Sequence, residues 1–444
     1  MHYFKDFKCF EDAKLDLMRP VTLMIGKNGA GKSNAIEGVE LLAQLANGRP
    51  LHEIVEVGRG NGTSFELRGS LNGCARGAAP HSNPQRIQDI LQVKRVPFTL
   101  GFQAAIAFRG ENWPLDYNIT IETGIQPKVK EEILTIGSWE FYKGTLENNS
   151  DLLEVRMNNF ASGGNKPFVQ APADRSILSR YVSLASAAIK AEDKRKEALN
   201  VVGRVDGYLS SAFVFDPSPR AMRAYERIGQ RELSKDGANL SSVLHSLGTG
   251  TEDSKAALSR ILERLRHLPE EPFKSFEFIT TQLNDVIFAL RQENDDLVDA
   301  RILSDGTLRS LAILTALETT RKGSRLVIEE MDNGLHPSRV KILVDAIWET
   351  ATKRDLNILA TTHNPATLDS LNESQLGSVV LCFYDSQLRA SRLMELKDLP
   401  RSDVLLERGH LGDLVTRQVI EQHLKPEYEK QQRGEALEWV KSLK

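Results

Sequence analysis

The chain has 444 residues, 41% of them hydrophobic and 26% charged, with 57 Lys+Arg against 60 Asp+Glu for a formal net charge of −3. That length holds about three domain equivalents, and the composition excludes wholesale disorder and collagen-like repeats. A balance so near zero does not advertise nucleic acid, although a local basic face fits within it.

Taken in chain order, residues 1–14 (MHYFKDFKCFEDAK) alternate like strands and are charged from Lys5 onward, without the apolar core of a signal peptide. The run Val21-Thr22-Leu23-Met24-Ile25 reads as a buried strand ending at Gly26, and AIEGVELLAQLA, from Ala35 on, reads as a helix. Between 51 and 155 the pattern is strand-like at 64–71, 97–108, 116–122 and 138–143, with a mobile surface loop expected at 72–83. Residues 158–173 form a Gly/Asn/Pro-rich connector. Helical patterning follows from 174 to 200, its charge run 190–196 (KAEDKRK) reading as a solvated face.

A short strand is expected at 209–215 and helices at 240–247, 252–268 and 276–287. Helix 310–320, strand 326–328, helix 338–352 and strand 357–361 then alternate, which implies a parallel sheet. The longest apolar run, LAILTAL at 311–317, is far short of the ~20 residues of a membrane helix. Cys9, Cys74 and Cys382 share no short spacing, which argues against a disulfide framework or a cysteine zinc site. The expectation is a cytoplasmic protein with reduced thiols.

Four segments carry chemistry. Residues 26–33, GKNGAGKS, fit G-x-x-x-x-G-K-[ST] between a predicted strand and a predicted helix. Glycines at 26, 29 and 31 let backbone N–H groups wrap phosphates, Lys32 reaches the β/γ-phosphates, Ser33 ligates Mg²⁺, and the helix N-terminus adds partial positive charge. LSDGTLRS at 303–310 opens a helix, where Ser304 or Asp305 could simply be its cap. LVIEE at 326–330 ends a buried strand in two carboxylates, Glu329 and Glu330, which suit Mg²⁺ and the attacking water of a P-loop enzyme. ILATTHNP at 358–365 ends another strand in His363, able to donate to a γ-phosphate oxygen. His336, in NGLHP, reads first as a capping or packing residue.

The set GKNGAGKSN, LSDGTLRS, VIEEMDNGLHP and ATTHNP, in this order, resembles the ABC-type ATPase heads of the SMC, RecF and OLD proteins. It is most similar to the ABC-like AAA-family ATPases of bacterial anti-phage systems. FDPSPRAMR (215–223) and LSKDGANL (233–240) resemble that subgroup too. The fold that the resemblance implies is α/β, a P-loop parallel sheet plus an antiparallel β lobe, with a helical insertion lobe. Its expected parts are an N-terminal ATPase lobe with a β-rich subdomain at 1–157, a mainly helical insertion at 158–300, a C-terminal ATPase lobe at 301–395 and a helical tail at 396–444.

The resemblance also implies roles. Gly26, Asn28, Gly29, Gly31, Lys32, Ser33 and Asn34 would bind ATP, and Ser304 and Gly306 would be the signature that meets the ATP of the other subunit. Ser33 and Glu329 would hold Mg²⁺; Glu330 would be the catalytic glutamate, with Lys32 and the switch histidine, His363, beside it in the chemistry. Residues 332–335 would be the D-loop, although Met331-Asp332 stands where relatives often carry Pro-Glu, and Glu329 stands where most ABC proteins have aspartate. Gln103 and Gln170 are both open as the Q-loop residue. An adenine-stacking ring is expected among Tyr3, Phe4, Phe7 and Phe10, which equally suit the core of the first hairpin.

The 271-residue interval from Ser33 to Ser304 has no sustained heptads, so SMC-like arms are not expected. The 81 residues after His363 show no TOPRIM metal constellation, so no built-in nuclease is expected. The expected function is ATP-dependent homodimerisation, or a higher homo-oligomer, controlling a separate TOPRIM- or HNH-type nuclease in anti-phage defence, without a membrane partner. The alternatives are a RecF-like clamp on DNA and a scaffold whose ATP is structural. Arg220, Arg223, Arg227 and Arg231 offer a basic contact for DNA or a partner, or a solvated helix face.

Overall fold

Every residue of the strand Val21–Ile25 is buried, as is every residue of Arg325–Ile328. Such unbroken burial belongs to strands covered on both faces, the environment of a parallel sheet. The computed structural model describes residues 1–56, 67–77, 95–148, 150–160, 166–268, 273–400, 402–407 and 409–424. The chain divides into two units: Met1–Met18 with Gly31–Val214 and Tyr384–Arg392, and Arg19–Ala30 with Phe215–Phe383 and Leu393–Lys444.

In the second unit the strands run parallel in the order Arg325–Ile328, Asn357–Thr362, Val21–Ile25, Val379–Asp385, with Val327 beside Leu359, Ala360 beside Leu23 and Val380 beside Met24. The helix Asp305–Thr319 is buried nearly all round and sits against Glu252–Arg266 and Pro337–Arg354. Asp285–Gln292 forms the middle of a small antiparallel sheet with Phe273–Thr280, Glu226–Arg227 and Leu297–Asp299. Towards the chain end, the helix Leu411–Thr416 docks on Pro365–Asp369: Gly412 N donates to Asp369 Oδ1 at 2.7 Å, and a Cβ at Gly412 would lie 2.2 Å from the Pro365 carbonyl oxygen. Glycine is what permits that approach.

The first unit is an antiparallel sheet in the order Phe10–Leu15, His2–Phe7, Pro97–Phe108, Glu111–Glu122, Lys128–Ile136, Trp139–Leu146, Leu152–Met157, Phe168–Pro172. Phe4, Phe7 and Phe10 are fully buried and lie ring against ring, with centroids 6.1 and 5.7 Å apart. The helix Lys32–Ala46 packs over them; at Gly38 a Cβ would lie 2.5 Å from the Phe4 ring. The charge run 190–196 lies at the start of the helix Glu192–Ser210, and Lys196 pairs with Glu192 at 2.8 Å in solvent.

The architecture is the α/β one anticipated: a parallel sheet leading into the phosphate loop, an antiparallel β lobe, and helices Leu240–Thr249 and Glu252–Arg266. Several local readings are corrected. Residues 276–287 are a hairpin, not a helix. The apolar spacing Phe276, Ile279, Leu283, Ile287 matches a helix, but Thr281 Oγ1 accepts from both Leu283 N and Asp285 N at 3.2 Å, and Asn284 turns left-handed at φ +62°. That local turn outcompetes helix propagation.

The segment 220–231 is not a helix face but a 3₁₀ turn, Ala221–Arg223, and the short strand Glu226–Arg227. The helix Glu192–Ser210 runs into the expected strand 209–215, which begins at Ala212. Residues 67–71 are a turn rather than strand, and 64–66 lie outside the described residues. In the expected loop 72–83, Cys74 is fully buried and its carbonyl accepts from Lys8 N at 2.6 Å; 78–83 lie outside the described residues. The connector 158–173 contains the strand Phe168–Pro172, with 161–165 outside the described residues. Lys128–Ile136 and Leu152–Met157 are strands that the sequence reading passed over. Of the tail expected to be helical, the described residues hold the helices Ser402–Glu407, Leu411–Thr416 and Val419–His423; residues 425–444 lie outside the described residues. No helix among the described residues is long and apolar enough to cross a membrane.

The β lobe closes around one buried carboxylate. Glu132 accepts from Tyr117 Oη (3.2 Å), Tyr142 Oη (3.0 Å), Ser176 Oγ (2.9 Å), Ile177 N (2.6 Å) and Leu178 N (2.9 Å). Burial pushes its carboxyl above the ordinary range, against the opposing pull of these donors. Glu132→Ala would strand five buried donors. It is expected to lower the unfolding free energy by about 3 kcal/mol, measured as the denaturant midpoint; an unchanged midpoint would remove this carboxylate as the lobe's fastening.

Candidate functional site

The phosphate loop lies between a buried strand and a 15-residue helix, as its motif requires. Gly29 (φ +80°) and Gly31 (φ +117°) take left-handed conformations that side chains resist. Ala30 N donates to Lys27 O at 3.1 Å, and Ala35 N to Gly31 O at 3.0 Å, so helical bonding begins at the last glycine. Two glycines are also fixed by packing. A Cβ at Gly26 would lie 2.1 Å from Cys382 O, and one at Gly31 would lie 2.8 Å from Cys9 Sγ; at Gly29 no atom of the described residues would lie within 4 Å. Asn34 directs its side chain to protein groups: Nδ2 donates to Cys9 Sγ at 2.9 Å, and Oδ1 accepts from Arg68 at 3.4 Å.

Glu329 and Glu330 follow the strand Arg325–Ile328. Glu330 is left-handed at φ +43°, an unusual place for a side chain with a long stem. Its amide donates to Thr361 Oγ1 at 2.9 Å, and Met331 N donates to Thr361 O at 3.1 Å. Its carboxylate accepts from Asn333 Nδ2 at 3.1 Å and lies 3.6 Å from His363 Nδ1, with both side chains near half exposure. The expected glutamate and histidine are therefore neighbours, one from each of two adjacent parallel strands.

Asp332 holds that juxtaposition. It is buried, and its Oδ2 accepts from the hydroxyls of Thr362 (2.6 Å) and Thr367. Asn364 N donates to Thr362 Oγ1 at 3.0 Å, so the turn after His363 is fixed from the same threonine. Sequence reasoning placed Asp332 in the D-loop but passed over Thr361, Thr362 and Thr367. The doubled threonine before a strand-end histidine was the available signal.

Ser304 caps the helix Asp305–Thr319: its Oγ accepts from Thr307 N at 3.1 Å and shares a 2.7 Å hydrogen bond with Thr307 Oγ1. A Cβ at Gly306 would lie 3.0 Å from Gly334 O, so glycine at 306 lets the backbone at 334 come close. His336 caps the helix Pro337–Arg354 through Nδ1, the bland role read from sequence. The Gln103 side chain bonds Asp116 at 2.9 Å and that of Gln170 bonds Glu147 at 3.2 Å. Phe4, Phe7 and Phe10 are core rings, which corrects the adenine-stacking expectation for these three; Tyr3 is half-buried.

Residues 161–369, a little under half of the chain, match the family described as "AAA domain, putative AbiEii toxin, Type IV TA system". The match takes in Ser304, Glu329, Glu330 and His363 and leaves out the phosphate loop. The DNA replication and repair protein RecF of Arthrobacter sp. (strain FB24) is 25% identical over 285 residues, 60% of this chain and 64% of that protein. RecF of Gloeobacter violaceus is 40% identical over 55 residues, 12% of this chain and 15% of that protein. The chain thus spans less than two thirds of the length of either relative. Among solved structures, the SMC head domain from Thermotoga maritima has 11% identity and a TM-score of 0.39, covering 89% of this chain and 97% of that one. The Smc head bound to the C-winged helix domain of ScpA has 11% identity and a TM-score of 0.43, covering 88% and 96%. The family match and the curated relatives support an ABC-type ATPase.

Asp332→Ala leaves two buried hydroxyls without their acceptor. It is expected to cost about 2 kcal/mol in unfolding free energy, read from urea denaturation. A cost near zero would show that this carboxylate does not hold the strand ends together.

Proposed function

We propose that the chain is an ATPase in which ATP and Mg²⁺ close a two-fold homodimer, and that the closed state controls a separate nuclease effector of TOPRIM or HNH type in anti-phage defence. The observation that carries the ATPase reading is Glu330, held left-handed 3.6 Å from His363, in a chain with a complete phosphate-loop motif.

The donors suit the ligands. Gly26, Asn28, Gly29 and Gly31 give a loop whose backbone N–H groups bind phosphate oxygens, and Lys32 adds a cation for the β/γ-phosphates. Ser33 and Glu329 offer the hard oxygen ligands that Mg²⁺ takes. When bound, the ion supplies charge neutralisation on the phosphates. Glu330 orients the attacking water and accepts its proton as the water oxygen bonds the γ-phosphorus. The bond to the β–γ bridging oxygen breaks, leaving ADP and phosphate. His363 donates to a γ-phosphate oxygen, and Ser304 and Gly306 meet the nucleotide held by a second copy. Each site is then composite, which makes dimerisation a condition of turnover.

The curated relatives favour a second reading, a RecF-like clamp acting directly on DNA. It requires affinity for duplex DNA that falls steeply with salt.

Glu330→Gln is expected to lower ATP turnover by about 100-fold or more while retaining ATP, and to accumulate as a dimer in analytical ultracentrifugation. Lys32→Ala is expected to lose ATP binding. Normal turnover in the first variant would move the chemistry away from Glu330, and normal affinity in the second would remove the phosphate-loop assignment. Tagged Glu330→Gln protein, isolated with ATP and Mg²⁺ from cells carrying the native gene neighbourhood, should bring down a nuclease stoichiometrically. A dimer carrying nuclease-sensitive DNA and no partner protein would favour the clamp.

A further inference from the structure

We propose that Arg223 and Arg339 are positioning residues for the signature serine: Arg223 grips the backbone before Ser304 and the Asp305 side chain after it, and Arg339, acting through Thr307, turns the Ser304 hydroxyl outward as a donor to a phosphate oxygen. The inference deepens the reading of Ser304 given above and rests on it.

The Arg223 guanidinium donates to Leu303 O at 2.8 Å and Asp305 Oδ1 at 2.6 Å through Nη2, and to Arg301 O at 3.4 Å through Nε. These acceptors flank Ser304 in sequence, so one planar, rigid donor set grips the loop before and after it. The base of the arginine is fixed in turn. Met222 beside it is fully buried, and Gly237 (φ +71°) approaches so closely that a Cβ there would lie 2.9 Å from Met222 Cε. Asp216 N and Ser218 N donate to the carbonyls of Lys235 and Asp236 at 2.9 and 2.8 Å. The segments FDPSPRAMR and LSKDGANL, to which the ATPase chemistry assigns no role, are thus the two halves of the mount that carries Arg223.

The second arginine acts on hydrogen direction. Arg339 Nη1 donates to Thr307 Oγ1 at 3.3 Å, and a guanidinium can only donate. A charge-assisted donor on that oxygen favours the 2.7 Å bond to Ser304 running with Thr307 as donor. The Ser304 oxygen also accepts from Thr307 N at 3.1 Å. With two bonds accepted, its own hydrogen points away from the helix cap. Thr307 is 2% exposed, so water does not scramble the relay. The acceptor such a hydroxyl suits, at the N-terminus of a 15-residue helix, is an anionic oxygen; here it is the terminal phosphate of a nucleoside triphosphate on a second copy of the chain.

The test uses full-length Glu330→Gln protein as background, with ATP and Mg²⁺. Adding Arg223→Ala or Arg339→Ala is expected to leave nucleotide binding by the monomer unchanged and to weaken the ATP-dependent dimer by about tenfold or more. Arg339→Lys should restore part of this, because one donor to Thr307 suffices. Arg223→Lys should not, because the several-point grip is lost. Thr307→Val, nearly isosteric, should weaken the dimer as Arg339→Ala does. Combining Arg339→Ala with Ser304→Ala should cost no more than Ser304→Ala alone, since both act through one hydroxyl. Wild-type dimer affinity in the two alanine variants, or strictly additive penalties in the double variant, would overturn the proposal. A Glu330→Gln background that binds ATP yet stays monomeric would instead overturn the dimer reading beneath it.

Discussion

The Asp332 carboxylate is the constraint on which the site depends. Removing a charge from water costs several kcal/mol unless hydrogen bonds replace its hydration, and here two threonine hydroxyls do so, one from the strand Asn357–Thr362 and one from the helix Pro365–Asp369. A carboxylate placed in this way cannot drift without exposing the cost of its burial. It holds the turn after Glu330 to the segment that carries His363. From the same turn Gly334 meets Gly306, and Arg339 in the next helix reaches Thr307. One buried carboxylate therefore ties the turn after Glu330 to two elements some 30 residues on in sequence.

The parts legible in the sequence were those where local pattern and burial agree. Val21–Ile25 and Arg325–Ile328 are buried throughout and, apart from Thr22 and Arg325, apolar, as strands sheathed on both faces are written. The phosphate loop was legible because glycine spacing is itself the mechanism. The helix at the signature began five residues earlier than its apolar period suggests, because Ser304 rather than the first apolar residue sets the start.

What stayed hidden is long-range. Nothing near Glu330 in sequence announces that Thr361, 31 residues later, accepts its amide hydrogen. Nothing near Arg223 announces Asp305, 82 residues on. The hairpin at 273–292 was misread for a local reason: its apolar residues satisfy both periods, and the deciding turn at Thr281 and Asn284 is made by a hydroxyl and a left-handed asparagine. The first-hairpin phenylalanines were correctly offered as core, and the ring-on-ring packing of Phe4 with Phe7 and Phe10 leaves none of the three a face for a ligand.

Glu330 occupies backbone space that glycine or asparagine fills with less strain, and a left-handed glutamate costs of order 1 kcal/mol or more. Selection for a comfortable chain would not put a glutamate there. Under the proposed reading, position 330 is a place where the interests of folding and of chemistry diverge: a glycine there would relax the turn while deleting the carboxylate beside His363. If Glu330 works as proposed, a chain drifting free of functional selection would be expected to lose this glutamate early.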